Sequence, residues 1–228
     1  MTIKPLNRKF DGVLFDMDGL LLDTENIVNQ CLKETAGQFG LFDMDDIFLE
    51  LIGFRSKESD AMLLRGLDGR VDLAVFCAES DKRIRDRIAQ GLPVKIGVVA
   101  LLQELHKQQL PCAVASSTCT ELVDKHLSEA GIRHFFASTT GGDQVSKGKP
   151  HPDIYHKAAA SIGVSADKCV AFEDSETGTL AALASGASVV QVPDLVAPSD
   201  ALIKRGHLIA SDVWAGALQI GLIQQSGN

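Results

Sequence analysis

The sequence predicts an α/β protein in which a parallel, doubly wound sheet is interrupted by an all-helical insertion, and three observations carry that expectation. From Gly97 onward, short apolar strand signals alternate with stretches of helical period, the pattern of a parallel sheet flanked by helices. Between residues 25 and 90, apolar residues recur at helical spacing with no convincing strand among them. Near the N-terminus, Val13-Leu14-Phe15 forms a buried-strand signal that ends on two carboxylates, Asp16 and Asp18, and opens into a turn at Gly19.

Taken in order, the first strand is Val13 to Phe15. Behind the potential caps Asp23 and Thr24, residues Ile27, Val28, Cys31, Leu32, Thr35 and Phe39 mark one helical stripe. Ile47, Phe48, Leu51 and Ile52 mark a second, and Ala61, Met62 and Leu64 a third after Ser56. A fourth runs through Val71, Val75, Cys77, Ile84 and Ile88 and stops at Gly91 and Pro93. The expected division is therefore a helical domain over 24–91 inserted into a core made of 1–23 and 92–228. In the core, helices are expected at Val98–Gln108, Thr120–Ala130, Ile154–Ile162 and Thr177–Ser185. Strands are expected at Leu110–Ala115, Phe135–Thr139, Cys169–Phe172 and Val189–Val192, and no element is assigned beyond. Sites in such sheets gather past the carboxyl ends of the strands, so Asp16, Ser116 and Asp174, which each follow a strand, are expected to meet at one edge.

Composition narrows the classes. With 228 residues, the chain has room for one core and a smaller second unit. A 45% hydrophobic and 23% charged content describes a soluble globular protein. The formal net charge of −8 argues against nucleic acid or an anionic membrane as partner, since both call for a broad basic surface. Five scattered cysteines with no Cys-x-x-Cys read as reduced thiols of a cytoplasmic protein. Neither a signal peptide nor an apolar run long enough to cross a bilayer is expected, and the oligomeric expectation is a monomer or weak dimer.

The acidic pairs carry the chemistry. Asp16 and Asp18 repel each other unless a cation lies between them or one holds a proton, which points to a hard metal, a nucleophile beside an acid/base, or both. Glu173-Asp174 is a second pair after a second strand, and a divalent cation is the natural partner of two such pairs. Ser116, with Ser117 and Thr118 as competitors, stands where a hydroxyl and an amide at a helix start can bind an anionic group. Lys149, or Lys147 two residues before it, offers an ammonium for the same group.

The run Asp16-Met17-Asp18-Gly19-Leu20-Leu21-Leu22-Asp23-Thr24 resembles the first signature of the haloacid dehalogenase superfamily, with no required position missing. In the family's order follow Val114-Ala115-Ser116-Ser117-Thr118, then Lys147-Gly148-Lys149-Pro150-His151-Pro152-Asp153, then Val170-Ala171-Phe172-Glu173-Asp174-Ser175. These resemble the later signatures of the β-phosphoglucomutase-like phosphatases of that superfamily. The resemblance implies a Rossmann-like core with a helical cap, and a Mg²⁺-dependent phosphatase that hydrolyses a small phosphorylated metabolite, a sugar phosphate being the leading class. It implies Asp16 as nucleophile, Asp18 as acid/base, and Ser116 and Lys149 as holders of the phosphoryl group; Lys149 rather than Lys147 matches the third signature. It places the metal with Asp16, Asp18 and Asp174, leaving Glu173 as ligand or close neighbour. Ser117 and the segment with Arg55 and Lys57 are the implied substrate contacts, and Glu25 and Asn26 lie just past the first signature. Two alternatives stand beside this reading. One is a β-phosphoglucomutase-like mutase, whose relatives carry a histidine twelve residues after the nucleophile, where this chain has Val28. The other is a non-catalytic phospho-receiver module, against which Asp18 and the helical insertion both count.

Overall fold

The structure, a computed structural model, describes residues 10–51 and 56–224, the side chains of 56–58 excepted. The chain divides into two compact units, Met1–Leu22 with Val94–Asn228, and Asp23–Pro93. In the first, six described strands form one sheet: β1 Gly12–Phe15, β2 Cys112–Ala115, β3 Ser138–Thr140, β4 Cys169–Glu173, β5 Ser188–Gln191 and β6 Leu208–Ile209. Their order is β3-β2-β1-β4-β5-β6, and every pairing is parallel, the last being what the sequence predicts. The chain winds outward from β1 in one direction and from β4 in the other, so the crevice past the carboxyl ends of these two neighbours is where such a sheet places ligands. Residues of β1, β2 and β4 are buried without alternation, the signature of strands covered on both faces. At the centre, Phe15 stacks on Phe172 at 5.2 Å and meets Phe136 edge-on at 5.9 Å, which fixes the register of the two site-bearing strands.

The second unit is helical throughout its described residues: α1 Thr24–Gln38, α2 Asp45–Glu50, α3 Ser56–Leu67 and α4 Leu73–Ile88. Its helices close on one cluster built around Leu32, Met44, Phe48, Leu67 and Phe76, and Val28 packs against it; in α3 it is Leu63 and Leu67 that face inward, while Ala61 and Leu64 of the expected stripe, like Val75 of the next, are exposed. A charged seam binds α1 to α4, where Glu34 accepts from Arg83 at 3.1 Å and from Arg87 at 3.0 Å.

The core's helices are α5 Val98–Lys107, α6 Thr120–Glu129, α7 Asp153–Ser161, α8 Glu176–Ala184, α9 Asp200–Ile203 and α10 Val213–Gln219. Two departures from the sequence reading have physical causes. The strand expected at Phe135–Thr139 is displaced to Ser138–Thr140, because Arg133–Phe135 winds into a 3-10 turn that Arg133 locks by donating to the Phe136 carbonyl at 2.8 Å. Beyond Val192 the chain adds α9, β6 and α10. There the two-residue edge strand is too short to show a period, and the helices rest on caps, Ser199 accepting from the Leu202 amide and Asp212 from the Ala215 amide.

Candidate active site

Three strand ends and one loop build the site, all within the sheet-bearing unit. Asp16 is the first residue past β1, and its amide donates to the Phe172 carbonyl of β4 at 3.0 Å, which ties Asp16 to the neighbouring strand. The chain then turns sharply. Gly19 has φ +82°, a left-handed conformation, and the Leu21 and Leu22 amides both donate to the Met17 carbonyl. That turn leaves Asp18 half-exposed beside Asp16. Its Oδ2 accepts from the Thr118 hydroxyl at 2.8 Å and from the Ser116 hydroxyl at 3.2 Å.

Ser116 and Thr118 are held in turn by the loop after β3. The Ser116 amide donates to the Thr140 carbonyl, the Gly142 amide to the Thr118 carbonyl, and Asp143 accepts from both the amide and the hydroxyl of Thr120. A side chain at Gly142 would put its Cβ 2.4 Å from the Ser117 carbonyl oxygen, so the two loops touch backbone to backbone. Ser117 itself is exposed.

Lys149 enters from the segment before α7 with only 5% of its side chain exposed, and its ammonium donates to Asp16 Oδ1 and, at 2.6 Å, to Glu173 Oε1. Burial alone would drive its proton off, but the two carboxylates outweigh burial and hold its ammonium above the ordinary lysine range. For Asp16 burial dominates and pushes the carboxyl up, against the opposing pull of Lys149. Of the two partners, Lys149 is the one fixed in its charged form, since it faces two carboxylates while Asp16 shares one ammonium.

Glu173 is saturated by protein donors. Beyond Lys149, its Oε1 accepts from the Tyr155 hydroxyl at 2.8 Å, and its Oε2 accepts from the amides of Asp174 and Ser175 at 3.0 and 3.1 Å and from the Ser175 hydroxyl at 3.0 Å. Ser175 also caps α8 through the Gly178 amide. Asp174 follows β4 directly, and its carbonyl accepts from the buried Gln191 side chain at 3.3 Å. Among the described residues no three His, Cys, Asp or Glu side chains form a metal cage.

The structure therefore brings Asp16, Asp18, Ser116, Lys149, Glu173 and Asp174 together. Lys147 and His151 are both exposed beside Lys149. Arg55 lies outside the described residues, and so does the side chain of Lys57. Glu25 and Asn26 belong to the helical unit, where the Asn26 amide group donates to Asp23 at 2.6 Å. Tyr155 and Gly178 carry no sequence signal of their own. Both read as ordinary residues of apolar helices, and only the fold reveals that they surround Glu173.

A doubly wound parallel sheet that gathers paired carboxylates and a buried ammonium past β1 and β4 defines an α/β enzyme of the phosphomonoester hydrolase class. Within that class, the chain belongs to the haloacid dehalogenase-like hydrolase family, whose model matches residues 13–192. Over 179 residues it is 30% identical to a phosphorylated carbohydrates phosphatase of Thermotoga maritima, covering 77% of this chain and 82% of the relative. It is 27% identical to the fructose-1-phosphate phosphatase YqaB of Escherichia coli, over 81% of this chain and 97% of that protein. A haloacid dehalogenase family hydrolase of Deinococcus radiodurans, crystallised with phosphate and sodium, superposes with a TM-score of 0.82 at 27% identity, covering 96% of this chain and all of that one.

Proposed function

We propose that this phosphatase hydrolyses a small phosphorylated metabolite, with a sugar phosphate as the leading substrate, through an aspartyl-phosphate on Asp16 and with Mg²⁺ as cofactor. The observation that carries the reading is the pairing of Asp16 with a buried ammonium while Asp18 is steered separately by two hydroxyls. Two neighbouring carboxylates in different environments are suited to different tasks. In the first step an Asp16 carboxylate oxygen attacks phosphorus, and the ester oxygen leaves with the proton of Asp18. In the second, Asp18 takes a proton from water, whose oxygen attacks phosphorus, breaking the bond to Asp16 and releasing inorganic phosphate. A positioned proton-transfer group of this kind contributes about 10²–10⁴ in rate. Ser116 and Lys149 bind the phosphoryl oxygens, Lys149 as a point charge.

The donor set fits Mg²⁺. Asp16 and Glu173 face a single ammonium, with Asp18 and Asp174 close to them in the chain, an excess of negative charge that an arriving phosphate ester would worsen. Mg²⁺ favours one or two carboxylates with waters and phosphate oxygens, so Asp16, Asp174 and the Asp18 carbonyl suffice to hold it, while Glu173 is committed to protein donors. Once bound, the ion supplies charge neutralisation at the transferring group. Val28 supports hydrolysis over isomerisation, because it packs into the helical unit's apolar cluster and carries no group that transfers a proton. A cytoplasmic, reducing location is supported by five free thiols. No described helix is long and apolar enough to cross a membrane.

The test is phosphate release from a panel of phosphomonoesters by the purified protein with and without Mg²⁺. Turnover of one or more sugar phosphates that needs Mg²⁺ is expected, and a protein inert across the panel would overturn the reading.

A further inference from the structure

The most deeply placed charge of the site is the Glu173 carboxylate, and what surrounds it gives a task to a residue six positions past Lys149. Tyr155 lies in α7 with none of its surface exposed, and its hydroxyl donates to the same Glu173 oxygen, Oε1, that accepts from Lys149. The Lys149 ammonium also stands 5.3 Å from the centre of the Tyr155 ring. The opposite oxygen, Oε2, is filled by two amides and a hydroxyl, so the balance at Oε1 alone decides how strongly Glu173 draws on the lysine.

We propose that Tyr155 is a positioning residue for phosphoryl transfer, holding the Lys149 ammonium toward Asp16 by sharing Glu173 Oε1 with it. The inference rests on the reading of Asp16 as the nucleophile. A carboxylate oxygen offers two lone-pair directions, and the phenol occupies one, which leaves Lys149 a single bond to Glu173 and its other N–H groups for Asp16 and an incoming phosphoryl group. Without the hydroxyl, a buried carboxylate lacks a donor and replaces it by drawing the ammonium deeper, away from Asp16. The phenol stays protonated and able to donate, since burial and then the Glu173 charge raise its pKa. Tyr155 is wholly buried, and its hydroxyl reaches Glu173. It acts through Lys149, whose hold on the phosphoryl group strengthens as charge builds in transfer, so its effect falls more on kcat than on KM.

The test is Tyr155→Phe, which keeps the ring and removes only the hydroxyl, assayed on p-nitrophenyl phosphate at saturating Mg²⁺. With an unchanged circular dichroism spectrum, kcat is expected to fall about tenfold while KM stays within about twofold. In a Glu173→Gln background, where no carboxylate remains to be shared, adding Tyr155→Phe is expected to change kcat by less than about twofold. Wild-type kcat in Tyr155→Phe, an equal tenfold loss in both backgrounds, or a rise in KM without a fall in kcat would each overturn the inference. Asp16→Asn, measured alongside, separates the two levels, because substantial turnover by that variant refutes the nucleophile reading whatever Tyr155 does.

Discussion

Gly178→Ala tests how tightly the rear of the site is built. A Cβ at this position of α8 would stand 1.7 Å from Glu173 Oε1, 2.0 Å from its Cδ and 2.3 Å from Oε2, inside the carboxylate itself. Glu173 cannot simply turn aside, because it is wholly buried and holds five hydrogen bonds. Overpacking of this kind costs about 1–3 kcal/mol, and losing one hydrogen bond to a buried charge costs about 1.5–3 more. Alanine's better helix propensity returns about 1 kcal/mol, which leaves a net destabilisation of about 1.5–5 kcal/mol. For a chain of this size that lowers Tm by roughly 3–20 °C. A displacement of about 1 Å in Glu173 carries Lys149 with it, and misplacement on that scale costs about 10²-fold in kcat. Gly37→Ala is the internal control, since its Cβ would meet only Phe42 Cε1, at an ordinary 3.7 Å, within α1. That variant should melt at or above the wild-type temperature. Thermal melts and phosphate-release assays on both decide the matter, and a Gly178→Ala protein with wild-type Tm and kcat would refute the packing argument.

The other predictions follow from single residues. Asp16→Asn should yield a folded protein with essentially no phosphate release, because a neutral amide does not attack phosphorus; circular dichroism checks the fold and turnover by the folded variant removes Asp16 from the role. Chelation should abolish activity and Mg²⁺ restore it, with Asp174→Ala needing more Mg²⁺ for half-saturation; full activity in excess chelator would sink the metal assignment. Burial holds the His207 imidazole below its ordinary range, so the folded state binds a proton less readily than the unfolded one, and stability intact above about pH 6.5 should decline as pH falls through that value. Melting curves of wild type and His207→Gln between about pH 7 and 5 should converge at the acid end, and parallel curves would count against this account. With β-glucose 1-phosphate and a trace of the 1,6-bisphosphate, Val28 predicts release of inorganic phosphate, whereas rapid conversion to glucose 6-phosphate would promote the mutase alternative.

The sheet was legible because parallel strands buried on both faces must be apolar without interruption, as in Gly12–Phe15 and in β4 up to Phe172, and helices of nine or more residues must show their period. Where an element is held by something other than apolar pattern, the sequence was silent. The edge strand Leu208–Ile209 exists through pairing with Val190 and Gln191, and no two-residue segment can display a period. The 3-10 turn at Arg133–Phe135 follows from a guanidinium reaching the Phe136 carbonyl, a contact that displaces a strand signal by about one turn.

The site divides along a similar line. Asp16, Asp18 and Lys149 stand out in the chain because the roles that the family resemblance implies for them each demand a residue type: a carboxylate to attack, another to move a proton, an ammonium to balance charge. The residues behind them work through shape and saturation, which a sequence does not record. Tyr155 looks like core and is core, yet its one polar atom lands on the only carboxylate oxygen it shares with Lys149. Gly178 looks like a weak point in a helix, and its missing side chain is the space the Glu173 carboxylate occupies. Glu173 itself was ambiguous as a letter, equally suited to holding a metal or a neighbour. Its five protein donors favour the neighbour, so the acidic pair divides: the Glu173 carboxylate is committed to protein groups, and Asp174 is the member proposed for the metal.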